Sequence, residues 1–478
     1  MKIGMLSLGC PKNLVDSEVM LGLAQQDGHE ITRDAAEADI LVVNTCAFID
    51  SAKRESVDAI LEMAQHKTAG RCQRLIVTGC LAERYRTELQ AEIPEIDVVL
   101  GTGEVPDIVQ AVRGETARRE ASGGAPTSDT GAPVALWRRS DAGVVARVAA
   151  RHRRAVVERE LPTYLYDATT PRLLATPGHF AYVKVAEGCD YNCAFCIIPT
   201  LRGQYRSRSP ESIVTEARAL GARGVKELLL ISQDTSFYGV DRRERGALAR
   251  LLAQLDAVEG LEWIRLLYLY PTTVTDEVLD AMASLPKVCR YVDLPLQHSA
   301  ETMLRRMKRP GHRRQYEALL DRIRRRVPDV TLRTTLIVGF PGESQEEFDD
   351  LHAFVRAVEF DHLGVFTYSH EEGTSAHRLD DDVPAAEKLR RRRVLMQTQK
   401  RIVARRHRRR IGAQVRLLVD GPSDGHEFVL QGRLEGQAPD IDPVVYLTEC
   451  DPTAVPPGSF VEAEIVQASG YDLVARPL

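Results

Sequence analysis

Long apolar runs are missing from this 478-residue chain. No stretch approaches the roughly 18 consecutive apolar residues that argue for a membrane-spanning helix, so no membrane partner is expected. The N-terminus, Met1-Lys2-Ile3-Gly4-Met5-Leu6, lacks an apolar core followed by a small-residue cleavage site, and no signal peptide is read there. A disulfide framework is also absent. Nine cysteines form an odd set in a large chain, and such a set fits reduced, metal-binding thiols in the cytoplasm better than the cross-links of small secreted domains. No convincing acid–base pair stands out, and His298 has no partner legible in the sequence. Side-chain acid–base catalysis is therefore not expected.

What is present is a cysteine loop. Gly188-Cys189-Asp190-Tyr191-Asn192-Cys193-Ala194-Phe195-Cys196 places Cys189, Cys193 and Cys196 at C-x3-C-x2-C spacing. Three thiolates are one short of the four that iron–sulfur clusters usually take. A [4Fe-4S] cluster held this way keeps one iron without a protein ligand, open to a small molecule. Cys10, Cys46 and Cys80 form a second set. Each lies just past a predicted strand, over Lys2–Leu8, Ile40–Asn44 and Arg74–Thr78. Ligands of open parallel sheets bind outside the carboxyl ends of the strands, so three βα loops bring these thiols to one edge. Cysteine is also a good small core residue, and Cys72, at no such position, is read as packing.

The pattern of elements divides the chain. Residues 1–113 alternate strands and helices and are expected to form a flavodoxin-like open parallel α/β sheet. Residues 114–174 read as a linker or insertion. Ala121–Pro133 is rich in Gly, Ser and Pro, as flexible linkers are, and Arg147–Arg159 suggests a short basic helix. Residues 175–406 show six βα units, expected as a (β/α)6 partial TIM barrel. Active sites of such barrels lie at the carboxyl ends of the strands, where Gln233, Asp234, Gln297, His298 and Gly339 fall. Residues 409–478 contain five short strands between turn residues, expected as a small five-stranded, OB-like β-barrel.

The cysteine spacing, with Phe195 before the last cysteine, on the first βα loop of a six-unit barrel, resembles the radical S-adenosylmethionine (SAM) enzymes. The resemblance implies SAM chelated at the open iron and cleaved reductively to a 5′-deoxyadenosyl radical. It also marks Phe195, Gln233, Asp234, Gln297 and Gly339 as candidate SAM contacts. The terminal segment resembles the TRAM domain. In order, the three domains are similar to the methylthiotransferases. That resemblance implies two [4Fe-4S] clusters, one on Cys189, Cys193 and Cys196 and an auxiliary one on Cys10, Cys46 and Cys80, with a reductant such as flavodoxin or ferredoxin.

Two branches of that family differ in substrate: a transfer-RNA adenosine, or an aspartate of small-subunit ribosomal protein twelve. The segment Gly9-Cys10-Pro11-Lys12-Asn13 resembles the protein-modifying branch, since transfer-RNA enzymes commonly carry Gln where Pro11 stands. Charge points the same way: from Gly412 onward there are eleven acidic residues against three basic. Nucleic-acid affinity draws on Lys and Arg neutralising phosphates, so this barrel is expected to prefer a basic protein. Lys388–Arg410 holds twelve basic residues and no acid. It suggests a contact with ribosomal RNA and is the best support for the transfer-RNA alternative. A non-catalytic iron–sulfur redox protein is the reading from another class.

Overall fold

The computed structural model describes residues 1–115, 161–423 and 426–478. The expected basic helix over Arg147–Arg159 and the Gly/Ser/Pro-rich stretch lie outside them. The chain forms two compact units: residues 1–175 with 200–203, and residues 176–199 with 204–478.

In the first unit, β1 (Lys2–Ser7), β2 (Glu30–Thr32), β3 (Ile40–Thr45), β4 (Arg74–Gly79) and β5 (Val98–Leu100) form one parallel sheet in the order β2-β1-β3-β4-β5. This is the flavodoxin-like order, with its topological switch between β1 and β3. The middle strands are mostly apolar, and Ile40 to Thr45 is buried at every position, as a strand covered on both faces requires. Pro11 starts the first helix, Pro11–Gln26, where its missing N–H costs nothing. The short edge strand β2 carries only Glu30-Ile31-Thr32, too little apolar pattern to be predicted.

Residues 161–175 depart from the expected linker. Tyr166 is buried, Leu173 N donates to Glu18 O at 3.0 Å, and Arg172 Nε donates to Glu18 Oε2 at 2.9 Å. The breaker-rich composition belongs to residues 121–133 alone, and Arg172 and Leu173 bond to the first helix through Glu18.

In the second unit, β6 (Phe180–Lys184) runs into the cysteine loop, and the short β7 (Ala186–Glu187) and β8 (Arg206–Ser207) pair antiparallel beside it. The remaining barrel strands are β9 (Glu227–Ile231), β10 (Trp263–Leu266), β11 (Tyr291–Asp293), β12 (Thr331–Val338) and β13 (His362–Thr367). They form two parallel sheets, β10-β9-β6 and β11-β12-β13, linked by Ile264 N donating to Lys287 O at 2.7 Å and Leu269 N to Asp293 O at 2.9 Å. The result is the six-stranded partial barrel. The expected third strand ran to Tyr270 but stops at Leu266, because Tyr268 adopts φ +60° and turns the backbone out of the sheet.

The last five strands, β14 (Gln414–Ser423), β15 (His426–Arg433), β16 (Val445–Leu447), β17 (Phe460–Ser469) and β18 (Asp472–Pro477), close into a barrel. Its core is Leu417, Val419, Leu430, Val445, Ile465 and Leu473. Charge holds it to the larger barrel. Glu227, at the start of β9, accepts from Arg265 Nε at 2.7 Å and from Arg433 Nη1 at 2.6 Å, with all three essentially inaccessible. Asp420 receives Arg433 Nε at 2.8 Å. Asp442 accepts from Tyr291 Oη at 2.6 Å and Arg333 Nε at 3.3 Å. Two acids of the terminal segment, Asp420 and Asp442, are therefore spent on internal pairing that ties it to the chain's own barrel. Among the described residues, no helix is long and apolar enough to cross a membrane.

Candidate functional site: two cysteine triads

The first triad sits where the sheet predicts. Cys10 caps the first helix, Cys46 follows β3, and Cys80 opens the helix Cys80–Glu92 after β4. Cys10 and Cys46 thus flank the switch point. Close approach is built in: a Cβ on Gly9, whose φ is +89°, would come within 2.7 Å of Cys46 Cβ. Burial, followed by the neighbouring Cys80 and Cys10 thiols, pushes the Cys46 thiol up to about 12. Burial likewise raises Cys80, opposed by the Arg202 guanidinium. Thiols so deeply buried give up their protons only to a strong cation or a metal. Asn13 is fixed beside them, donating through Nδ2 to Thr45 O at 2.8 Å and Leu8 O at 3.1 Å.

The second triad lies on the loop after β6 and β7. Burial pushes Cys189 up to about 11 and Cys196 up to about 12. The loop is held by its backbone: Ala194 N donates to Met307 O and Ala376 N to Ala194 O, both at 2.8 Å. Phe195 is half-buried and packs against a cluster of Met303, Met307, Phe340 and Tyr368. Arg309, missed in the sequence because nothing in Lys308-Arg309-Pro310-Gly311 marks it, donates Nη1 to Cys193 Sγ at 3.7 Å. Its guanidinium lies 4.2 Å over Tyr270, which stacks on Tyr191 at 3.9 Å between centroids. All nine cysteines are free thiols.

The polar candidates divide. The Asp234 carboxylate is engaged by its own neighbours. It accepts from Tyr191 Oη at 2.8 Å, Ser236 Oγ at 2.6 Å and Thr273 Oγ1 at 3.0 Å, and burial outweighs those donors to raise it above the ordinary range. Its work is to hold Tyr191 in the cysteine loop. His298 is fully buried against Glu343, Nε2 to Oε1 at 3.2 Å. Gly339 has a structural reason to be glycine: φ is +73°, and a Cβ would meet Lys388 Cγ at 2.2 Å. Gln233 and Gln297 remain. Gln233 Nε2 donates to Glu187 Oε1 at 2.6 Å, while Gln233 Oε1 and Gln297 Oε1 are buried acceptors without a partner. Gln297 itself, past β11 and bridged to Leu336 of β12, holds φ +73°, a conformation costing about 1–3 kcal/mol that tends to cluster at functional sites.

An open parallel sheet with thiols at its strand ends, a six-stranded parallel barrel opening on a C-x3-C-x2-C loop, and a small closed β-barrel define a multidomain radical SAM enzyme. Residues 2–101 match Uncharacterized protein family UPF0004, residues 183–355 the Radical SAM superfamily, and residues 411–478 the TRAM domain. The ribosomal protein uS12 methylthiotransferase RimO of Koribacter versatilis is 49% identical over 494 residues, covering 100% of this chain and 96% of that protein. The RimO of Trichlorobacter lovleyi is 44% identical, covering 99% and 98%. The chain belongs to the RimO family of ribosomal protein uS12 methylthiotransferases. Among solved structures, the radical SAM methyltransferase TsrM from Kitasatospora setae superposes with a TM-score of 0.52 at 17% identity, over 76% of this chain and 72% of that one. The cobalamin-dependent SAM radical enzyme OxsB reaches 0.51 at 11% identity, over 83% and 56%. At such identities the likeness concerns the fold.

Proposed function

We propose that this chain attaches a methylthio group to the β-carbon of an aspartate in ribosomal protein uS12, using SAM. The observation that carries the reading is the presence of two separate cysteine triads at strand ends, in a chain that aligns end to end with uS12 methylthiotransferases. Cys189, Cys193 and Cys196 would hold one [4Fe-4S] cluster, and Cys10, Cys46 and Cys80 a second. Among the described residues, no group of three His, Cys, Asp or Glu side chains is set to hold a single metal ion. A four-iron cluster instead presents its ligated irons at separate corners, which suits more widely spread thiols. When bound, such clusters supply the electron for reductive SAM cleavage and a site for exogenous sulfur.

The chain's own residues orient and shield. Asp234 pins Tyr191, and Arg309 pairs with Cys193 while lying over Tyr270. Gln233 Oε1 and Gln297 Oε1 offer buried acceptors that suit the SAM ammonium group. The target C–H is not acidic enough for a side-chain base, in keeping with the absence of an acid–base pair from the sequence. A flavodoxin or ferredoxin would serve as reductant, and a cytoplasmic location goes with the reduced thiols and a ribosomal substrate. Contact with ribosomal RNA would use the exposed bases Arg393, Lys400, Arg401 and Arg408–Arg410.

The test is mass spectrometry of uS12 from a strain lacking the gene and from one complemented with it. A mass increment on one aspartate, restored on complementation and absent with Cys189→Ala, is expected. An unchanged uS12 together with loss of a methylthio-adenosine from transfer RNA would sink the reading.

A further inference from the structure

Arg202 belongs to the short helix Ile198–Arg202, six residues past Cys196 in sequence, yet Thr200–Gly203 counts with the first unit. Thr102 Oγ1 fixes the segment by donating to Leu201 O at 2.5 Å. The Arg202 side chain is 3% exposed. Its Nη1 donates to Asp16 Oδ2 at 2.7 Å. Its Nη2 donates to Asn13 Oδ1 and lies 3.7 Å from Cys80 Sγ. The orientation of Asn13 is imposed by its two backbone acceptors, so the guanidinium is aimed rather than merely accommodated. A buried arginine beside a set of thiols has a clear physical consequence. Three thiolates gathered in one largely buried site repel one another, and each is costly to bury without a compensating charge. A fixed cation donating N–H to a cluster sulfur lowers that cost and favours the more negative, reduced cluster, since charge and hydrogen bonds to sulfur set iron–sulfur potentials.

We propose that Arg202 is a positioning residue for the first triad's iron–sulfur cluster, donating to the Cys80 sulfur and raising the cluster's reduction potential, with Asp16 holding the guanidinium and offsetting part of its charge. The proposal rests on the reading that Cys10, Cys46 and Cys80 hold a cluster. The two partners then act with opposite signs. Removing the cation should lower the potential, and removing the carboxylate should raise it. A merely structural network would lose iron in both variants without opposite shifts.

The experiment uses the full chain with Cys189→Ala, Cys193→Ala and Cys196→Ala, reconstituted anaerobically so that only the first triad reports. Electron paramagnetic resonance follows a redox titration, with iron and sulfide counted. Arg202→Met is expected to shift the midpoint negative, Arg202→Lys to restore most of it, and Asp16→Asn to shift it positive. Should Arg202→Met hold no iron, Asp16→Asn decides: a positive shift supports the proposal, and no shift or a negative one overturns it. Iron present with unmoved potentials overturns the role of Arg202 alone. Iron absent from the triple-cysteine parent overturns the cluster reading and the proposal with it.

Discussion

Arg433 is 1% exposed and sits between two carboxylates, Glu227 and Asp420. Burial drives Glu227 upward, but Arg433 and Arg265 outweigh it and hold it below the usual carboxylate range. Asp420 is likewise lowered, by His179 and Arg433 against burial. A folded-state value below the unfolded one gives stability that is present above the unfolded value, near 4, and lost as pH falls through the depressed range. Docking of the small barrel should therefore fail on acidification below about pH 4. Trp263, edge-on to Phe460 at 5.1 Å, reports that contact. In a Trp137→Phe background its emission should change on acidification at a higher pH in Asp420→Asn than in the parent. Arg433→Met should cost about 3–5 kcal/mol, because it leaves two buried carboxylates short of a cation, and urea unfolding measures it. At this scale the sequence was least informative about polar side chains. Asp234 and His298 lie at strand ends as read, but whether such a group faces a ligand or its own neighbours depends on residues far away in the chain, such as Thr273 for one and Glu343 for the other.

At the scale of elements, the helix Ala385–Arg408 shows why charge density misleads. Its run of bases has acidic partners that local reading does not see: Lys388 pairs with Asp381 at 2.5 Å, Arg391 with Glu343 at 2.9 Å and Arg406 with Asp361 at 2.8 Å. Those carboxylates come from a loop, a strand-end turn and the approach to β13, so the helix is a clamp on the barrel as well as a basic surface. The strands and helices of the barrel were legible, because apolar runs, Ser209-Pro210 and the Ser344/Glu347 capping box are local signals. Gly339, just past β12, lies against Lys388 of this helix. Gly339→Ala must force a left-handed backbone onto a residue with a Cβ and drive it into Lys388. Strain of about 1–3 kcal/mol is expected from the backbone alone, read as a lower urea midpoint with an unchanged slope. Near the other end of the helix, His407 is pushed down to about 4, by burial first and then by Arg410, His362 and Arg406, with Asp361 opposing. The unfolded chain then binds the extra proton, so this group makes stability rise between about pH 4 and 6.5. His407→Gln should flatten that part of a stability-versus-pH curve.

For the whole molecule, the order of three domains and the strand-end places of the six cysteines were legible, since strand-end position and C-x3-C-x2-C spacing are sequence properties. The guanidinium beside each triad was not. Arg202 and Arg309 reach Cys80 and Cys193 through folds of the chain that no local pattern encodes. Two independent triads make a divisible prediction. Cys10→Ala should leave dithionite-driven 5′-deoxyadenosine formation measurable while abolishing methylthiolation, and Cys196→Ala should abolish both. Equal loss of both activities in Cys10→Ala would count against separate sites.

The residence of Thr200–Gly203 in the first unit bears on how such proteins can be divided and recombined. A fragment ending at Ala175 keeps every thiol of the first triad but loses the guanidinium that Asp16 and Asn13 hold. Grafted onto another barrel, this α/β domain would bring its cysteines and leave behind the cation that aims at Cys80. The segment that must travel with the α/β domain is Thr200–Gly203, which lies inside the sequence of the barrel.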